Sequence, residues 1–263
     1  MGRYSRLRRI ERLDPRQDYE QIFRWLTQYE FPWDYTQGVS VAFLRDYGVP
    51  RISQLRGRTK EFERAGQKRY DDTVPVLATT VVGPKRWIDR YGWRRLSAAE
   101  TESLALVGRR MGELMGITGL PADYAGFEQL HDAYEKEMFA YDPANRRVAA
   151  ATLRVVTGWY PRPLRPHAAR ASLAVLDEPL LTALGLPEQP RRLRTAVHRA
   201  LRARAALVRA LPPRPDRWPH RPKPRSYPFG WALDDLGPHW AHGRPLEPLT
   251  EEVPNPAPDP ASS

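Results

Sequence analysis

The sequence predicts an all-α protein, on three observations. Apolar residues recur three and four positions apart along most of the chain, as one face of a helix requires. Asp-Pro and Ser-x-x-Glu pairs stand where those patterns begin. No stretch alternates apolar and polar residues for long enough to need a strand. Asp14-Pro15 opens the first clear helix, with the carboxylate as cap and the fixed φ of proline suited to the first turn. Ile22, Phe23, Leu26 and Tyr29 carry it on. Phe31-Pro32-Trp33 breaks it, because proline disfavours helical backbone at the residue before it. A second helix is expected from Asp34 through Phe43 and Leu44 to near Gly48 and Pro50. Residues 74–82 carry no charge and read as a buried apolar helix. Ser97 and Glu100 form a capping box that opens a helix through Leu104, Val107, Met111 and Leu114 to Gly116. Pro121 starts another, carrying Phe127, Leu130, Tyr134 and Met138. Asp142-Pro143 repeats the Asp-Pro start, and residues 168–176 and 191–211 supply two more helices.

These elements are expected to pack as one helical domain over residues 1–244, with 245–263 a disordered tail. Fourteen of the 27 prolines follow residue 211, and the terminal EVPNPAPDPASS is too polar and too proline-rich to pack. Trp231 and Leu233 are placed to anchor the segment before that tail.

Composition narrows the function classes. With no Cys, a disulfide framework, a thiolate metal site, an Fe–S cluster and a thiol nucleophile are excluded. Lys plus Arg number 42 against 31 acidic residues, a net charge of +11, which attracts polyanionic partners. The basic N-terminus has no apolar stretch behind it and lacks Ser or Thr at position 6, so neither a secretory signal nor myristoylation is expected. The expected location is cytoplasmic, peripheral to a membrane. Residues 191–211 hold seven arginines; Leu193, Val197, Leu201 and Val208 make an apolar stripe, and Arg191, Arg194, His198 and Arg202 another face. Arg191, Arg194 and Arg202 are the expected contacts with an anionic membrane surface. No nucleic-acid motif accompanies them, so nucleic acid is not an expected partner.

Few residues offer chemistry. Glu128 and His131 form Glu-x-x-His, half of a di-iron bundle motif. No other His has Glu three residues before it, so the pair reads as a solvated helix face and no metal site is assigned. Asp71-Asp72 are adjacent and diverge by about 100° on a helix. His239 and His242 lie beside the expected tail and read as incidental.

The order of longer motifs is distinctive: RRIERLDPRQDYEQIFRWLTQYEFPWDYTQGVSVAFLRDYGVPRIS, RTKEFERAGQKRYDDT, KRWIDRYGWRRLSAAE, PADYAGFE, YDPANRRVAAAT, LDEPLL and RSYPFGW. Together, up to about Pro238, they resemble a bacterial member of the mpaB-type oxygenase family, which shares its catalytic domain with rubber oxygenase (latex clearing protein). The resemblance implies an all-helical oxygenase acting on a hydrophobic, isoprenoid-like small molecule. It also implies haem b that activates dioxygen to cleave a carbon–carbon double bond. In the family one helix brings an Arg and a Thr or His near the haem. The next carries an aromatic-Val-His-Ala-Thr pattern whose His binds iron. Here Val76-Leu77-Ala78-Thr79 matches the second pattern with Leu77 at the His position, and the preceding helix is missing at the Thr73-Val74 junction. Leucine cannot ligate iron, and triplet dioxygen reacts slowly with alkenes without a metal or organic cofactor. Thr79, Arg86 and His131 are the remaining cofactor-site candidates. Residues 74–82 are expected to line an apolar groove, with Thr79 and Thr80 its nearest polar groups and Arg86 at its mouth. Two readings follow: an oxygenase using another cofactor or ligand, such as His131, or a non-catalytic helical protein that binds an apolar ligand or an anionic membrane surface.

Overall fold

The computed structural model describes residues 2–57, 73–158 and 160–221. Among them are eleven α-helices and no strand, as the all-α reading expects. The expected tail, Trp231, Leu233, Asp71, Asp72, His239 and His242 lie outside the described residues. All contacts below lie within the unit Met1–His220.

The helix starts read at Asp14, Ser97 and Asp142 are built as expected. After α1 (Ser5–Ile10), Asp14 accepts a hydrogen bond from the Arg16 amide and Pro15 opens α2 (Pro15–Trp25). The chain then widens into a single π-helical turn (Leu26–Glu30) before Phe31. The break at Phe31 is real, but the next helix starts earlier than expected: Pro32 itself is its first residue, and α3 is Pro32–Asp46. A short helix not anticipated, α4 (Pro50–Gly57), follows.

The apolar run becomes α5 (Thr73–Tyr91), which continues through Pro84. Proline there removes one backbone donor and would normally kink a helix. Its ring instead fills the place left by Gly38 on α3: a Cβ on Gly38 would lie 2.4 Å from the Pro84 Cα. One turn away the roles reverse, and a Cβ on Gly83 would come within 2.9 Å of the Ala42 methyl. Small residues at both positions let α3 and α5 cross at near-backbone contact.

Both halves of the Ser97–Glu100 capping box form, opening α6 (Ala98–Leu114). Its packing face differs from the expected stripe. Leu104, Ala105, Gly108 and Gly112 are buried, whereas Met111 and Leu114 are exposed. The flat Gly108 surface takes Val81, and Gly112 takes Leu77 and Leu120. Pro121 lies in the lead-in to α7 (Tyr124–Met138) and does not start it; Asp123 caps that helix by accepting from the Gly126 amide. Ala78, Val81 and Val82 of α5 meet Leu104, Ala105 and Phe127 in one core cluster.

Asp142 accepts from the Ala144 amide at 2.7 Å and opens α8 (Pro143–Gly158). A 3-10 turn (Arg162–Leu164) leads into α9 (Arg165–Ala174). Asp177 caps α10 (Glu178–Leu184), also unanticipated, and α11 is Arg191–Ala210. Leu44 and Tyr47 pack with Ala149, Leu173, Leu176 and Leu180 in a second core cluster where α3, α8, α9 and α10 meet. Fully buried Asn145 donates to the carbonyls of Gly48, Ala140 and Ala183, tying two loops and the helix Glu178–Leu184 to the start of α8.

Candidate ligand groove and polar network

The Leu77 position is solidly packed. Leu77 is 5% exposed and lies flush against Gly112 of α6. The Thr79 hydroxyl donates to the Pro75 carbonyl at 3.0 Å, and that of Thr80 to the Leu77 carbonyl at 2.7 Å. Neither hydroxyl is offered to a ligand, and the hydrocarbon of Leu77 has no lone pair for iron. The residues described at this position do not fit a haem iron.

Arg86 of α5 is bound to α7. It donates to both Asp132 oxygens (2.8 and 2.7 Å) and to Glu128 (3.1 and 3.0 Å) on α7. Tyr124 donates to the same Glu128 at 3.0 Å.

His131 corrects the expectation of a solvated face. It is 2% exposed and sits between two carboxylates. Its Nδ1 is 3.0 Å from Asp132. Its Nε2 lies 3.2 Å from Glu135, too far off axis for a good hydrogen bond. Glu135 in turn holds Arg45 of α3 through both guanidinium edges, and Arg45 reaches Asp177 at 2.7 Å. Arg86 holds the Asp132 carboxyl down at about 2, mainly by hydrogen bonding. Burial raises the Glu135 carboxyl, but the bonds from Arg45, with His131 close by, outweigh it and leave the group below its ordinary range.

One ligand atom from each of His131, Asp132 and Glu135 lies within 4.8 Å of the others. Glu128, the expected partner of His131, is not in that cluster. Both carboxylates are already neutralised by arginines, so a metal would have to displace Arg86 and Arg45. The geometry describes a polar rivet joining α3, α5, α7 and the start of α10.

Among the described residues a separate cavity is present. A cavity of about 760 Å³ runs between α3, α8, α9 and α11, with Trp87 of α5 beside it. Trp33, Gln37, Val41 and Leu44 line it from α3, Leu153 and Val156 from α8, Ala171 and Val175 from α9. Val197 and Leu201, half of the expected apolar stripe of the basic helix, close one side. From Trp33 to Tyr47 the lining follows α3 for roughly 20 Å at 1.5 Å per residue. The volume falls in the roughly 300–1,000 Å³ range of small-molecule sites.

Gln37, Tyr47, Tyr160 and His167 bring polar groups to this cleft, and three hydroxyls there are occupied. Ser40, Thr152 and Ser172 each donate to a carbonyl one turn back in their own helix. Trp87 is 9% exposed, and its buried indole N–H has no acceptor among the described residues. Among the described residues no Asp, Glu, Lys or Arg lines the cleft. Sequence reading missed it because four helices far apart in the chain contribute.

The basic helix is fastened over one end. Arg204 donates to Asp34 at 3.0 Å and stacks on Trp33 at 3.8 Å. His198 stacks on Tyr91 and shares a 2.7 Å hydrogen bond with its hydroxyl. Burial, followed by Arg90, Arg194 and Arg202, lowers the His198 pKa. Arg194 is half-buried and pairs with Glu188, while Arg191 and Arg202 are exposed.

These features define an all-α fold with an apolar ligand cleft and a separate polar rivet. Residues 53–210 match the family described as ER-bound oxygenase mpaB/B'/Rubber oxygenase, catalytic domain, and the chain belongs to that family. It is similar to ER-bound oxygenase mpaB' of Penicillium brevicompactum, 27% identical over 252 residues that take in 74% of this chain and 59% of the relative. ER-bound oxygenase mpaB of the same fungus is 25% identical over 199 residues, 54% of this chain and 51% of the relative. That of Penicillium roqueforti is 23% identical over 220 residues, 62% of this chain and 74% of the relative. The chain thus spans less than two thirds of the length of the first two. In all three matches the stretch of this chain is shorter than the matched length by several tens of residues. Such a shortfall agrees with an internal shortening, and the residues just before α5 are outside those described.

Proposed function

We propose that this oxygenase-family chain takes an extended, isoprenoid-like hydrophobic molecule into the cleft between α3, α8, α9 and α11. We also propose that it does not hold haem at the Leu77 position. The reading assigns binding and no chemical step. The observation that carries it is the cleft itself: about 760 Å³, lined among the described residues by no Asp, Glu, Lys or Arg. An uncharged channel of that length suits a chain of methylenes and double bonds, and rejects charged ligands because burying an unpaired charge is costly. Family membership supports the hydrophobic ligand class.

The non-catalytic reading is favoured over an oxygenase that uses His131 by one observation. His131 lies between Asp132 and Glu135, and both are held by arginines. Coordinating a cofactor would break that arrangement.

Titration of the purified chain with farnesol, read by tryptophan fluorescence, tests the binding. Trp33 and Trp87 line the cleft, so saturable quenching is expected. Ala171→Trp fills the cleft and should weaken binding tenfold or more without changing the helical circular dichroism. Equal binding by wild type and Ala171→Trp would contradict the assignment.

A further inference from the structure

We propose that the face around the mouth of this cleft docks on an anionic lipid bilayer, so that the apolar ligand passes directly between membrane and cleft. The proposal rests on the cleft being the ligand site. Two independent features point to it.

The first is apolar. Trp33, Phe43, Val155, Tyr160 and Leu164 all line the cleft and are all exposed, Val155 at 58% and Leu164 at 51%. Large exposed apolar groups that line one cleft mark an interaction surface, unlike such groups scattered singly. Trp and Tyr among them suit the headgroup level of a bilayer. The turn that presents Tyr160 and Leu164 is preformed: Arg165 donates to the Tyr160 carbonyl at 3.1 Å and to that of Gly158 at 3.4 Å.

The second is charge. Residues 143–176, which include α8, the 3-10 turn and α9, hold six arginines and no Asp or Glu. Residues 191–215 hold eight arginines and again no acid. Arg154 and Arg162, exposed and without an ion-pair partner among the described residues, stand beside Val155 and Leu164. Apolar groups flanked by unpaired arginines match acyl chains beneath anionic headgroups. A second copy fits poorly, since pairing this face with itself would set two acid-free arginine surfaces against each other. Nucleic acid would satisfy the arginines but press Val155 and Leu164 against phosphates.

Co-sedimentation with phosphatidylcholine vesicles, with and without about a third phosphatidylserine, tests the proposal on the full chain at low salt. Binding is expected to be at least tenfold tighter with the acidic lipid and to weaken with added salt. Arg154→Gln and Arg162→Gln should each weaken it about fivefold, while farnesol quenching in solution stays unchanged. Leu164→Asp should abolish it. Ala171→Trp, which blocks the cleft, should keep vesicle binding, so failure of the cleft reading and failure of the docking reading are distinguishable. Three outcomes overturn the proposal: no binding to acidic vesicles, equal binding to neutral ones, or double-stranded DNA binding of equal strength that Leu164→Asp leaves intact.

Discussion

At the scale of residues, charges inside this protein are held in networks rather than in isolated pairs. Glu30, 3% exposed, accepts from Arg6 at 2.6 Å and lies 3.4 Å from Arg94, which is itself held by both oxygens of Glu100. Removing one partner of such a buried set leaves the others uncompensated, which costs far more than the set contributes net. Glu30→Gln removes the carboxylate between two guanidinium groups that keep Asp216 and Glu100, and is expected to lower stability by about 1.5–3 kcal/mol in urea unfolding. The polar rivet behaves differently because it reaches the surface. Asp132 has its pKa held at about 2 by Arg86, against an ordinary 3.8. A depressed carboxyl stabilises the fold above the unfolded value, and that share is lost as pH falls from 3.8 toward 2. Asp132 is half exposed, so water screens the pair and the effect is small. In acid titrations followed by circular dichroism, Asp132→Asn should start less stable at neutral pH and show a shallower decline across this window than the wild type.

At the scale of elements, the α3–α5 crossing is the tightest contact and the least tolerant of growth. Gly38→Ala places a methyl 2.4 Å from the Pro84 Cα, where backbone rather than a movable side chain blocks it. Overpacking of this kind costs about 1–3 kcal/mol, measurable as a lowered urea midpoint. Gly158→Ala has open space around it and should be neutral or slightly stabilising. The same contrast explains what the sequence made legible. Caps at Asp14, Ser97 and Asp142 were readable because each side chain bonds an amide two or three residues away. The buried face of α6 was not, because it is chosen by Val81 and Leu77 arriving from another helix, and they select glycines over Met111 and Leu114. His131 was misplaced for the same reason: the arginines that surround its carboxylates come from α3 and α5.

At the scale of the whole molecule, the Leu77 position and the apolar cleft are built from different residues. Leu77 belongs to a packed interface of α5 with α6, whereas the cleft lies across α3 among α8, α9 and α11. Family membership was legible from ordered motifs, but the cleft was not, since its walls come from segments more than a hundred residues apart. Haem added to the purified chain is therefore expected to give no stoichiometric Soret band, and Leu77→His alone to give none either, since the neighbouring threonine hydroxyls are committed to backbone carbonyls. The most direct test of the account is where an apolar chain touches the protein. A diazirine-bearing farnesyl analogue, photolysed on the purified chain and mapped by peptide mass spectrometry, should label α3, α8 and α9 around Val41, Val156 and Ala171. Labelling should fall away in Ala171→Trp. Labels concentrated on residues 74–82 would contradict the account.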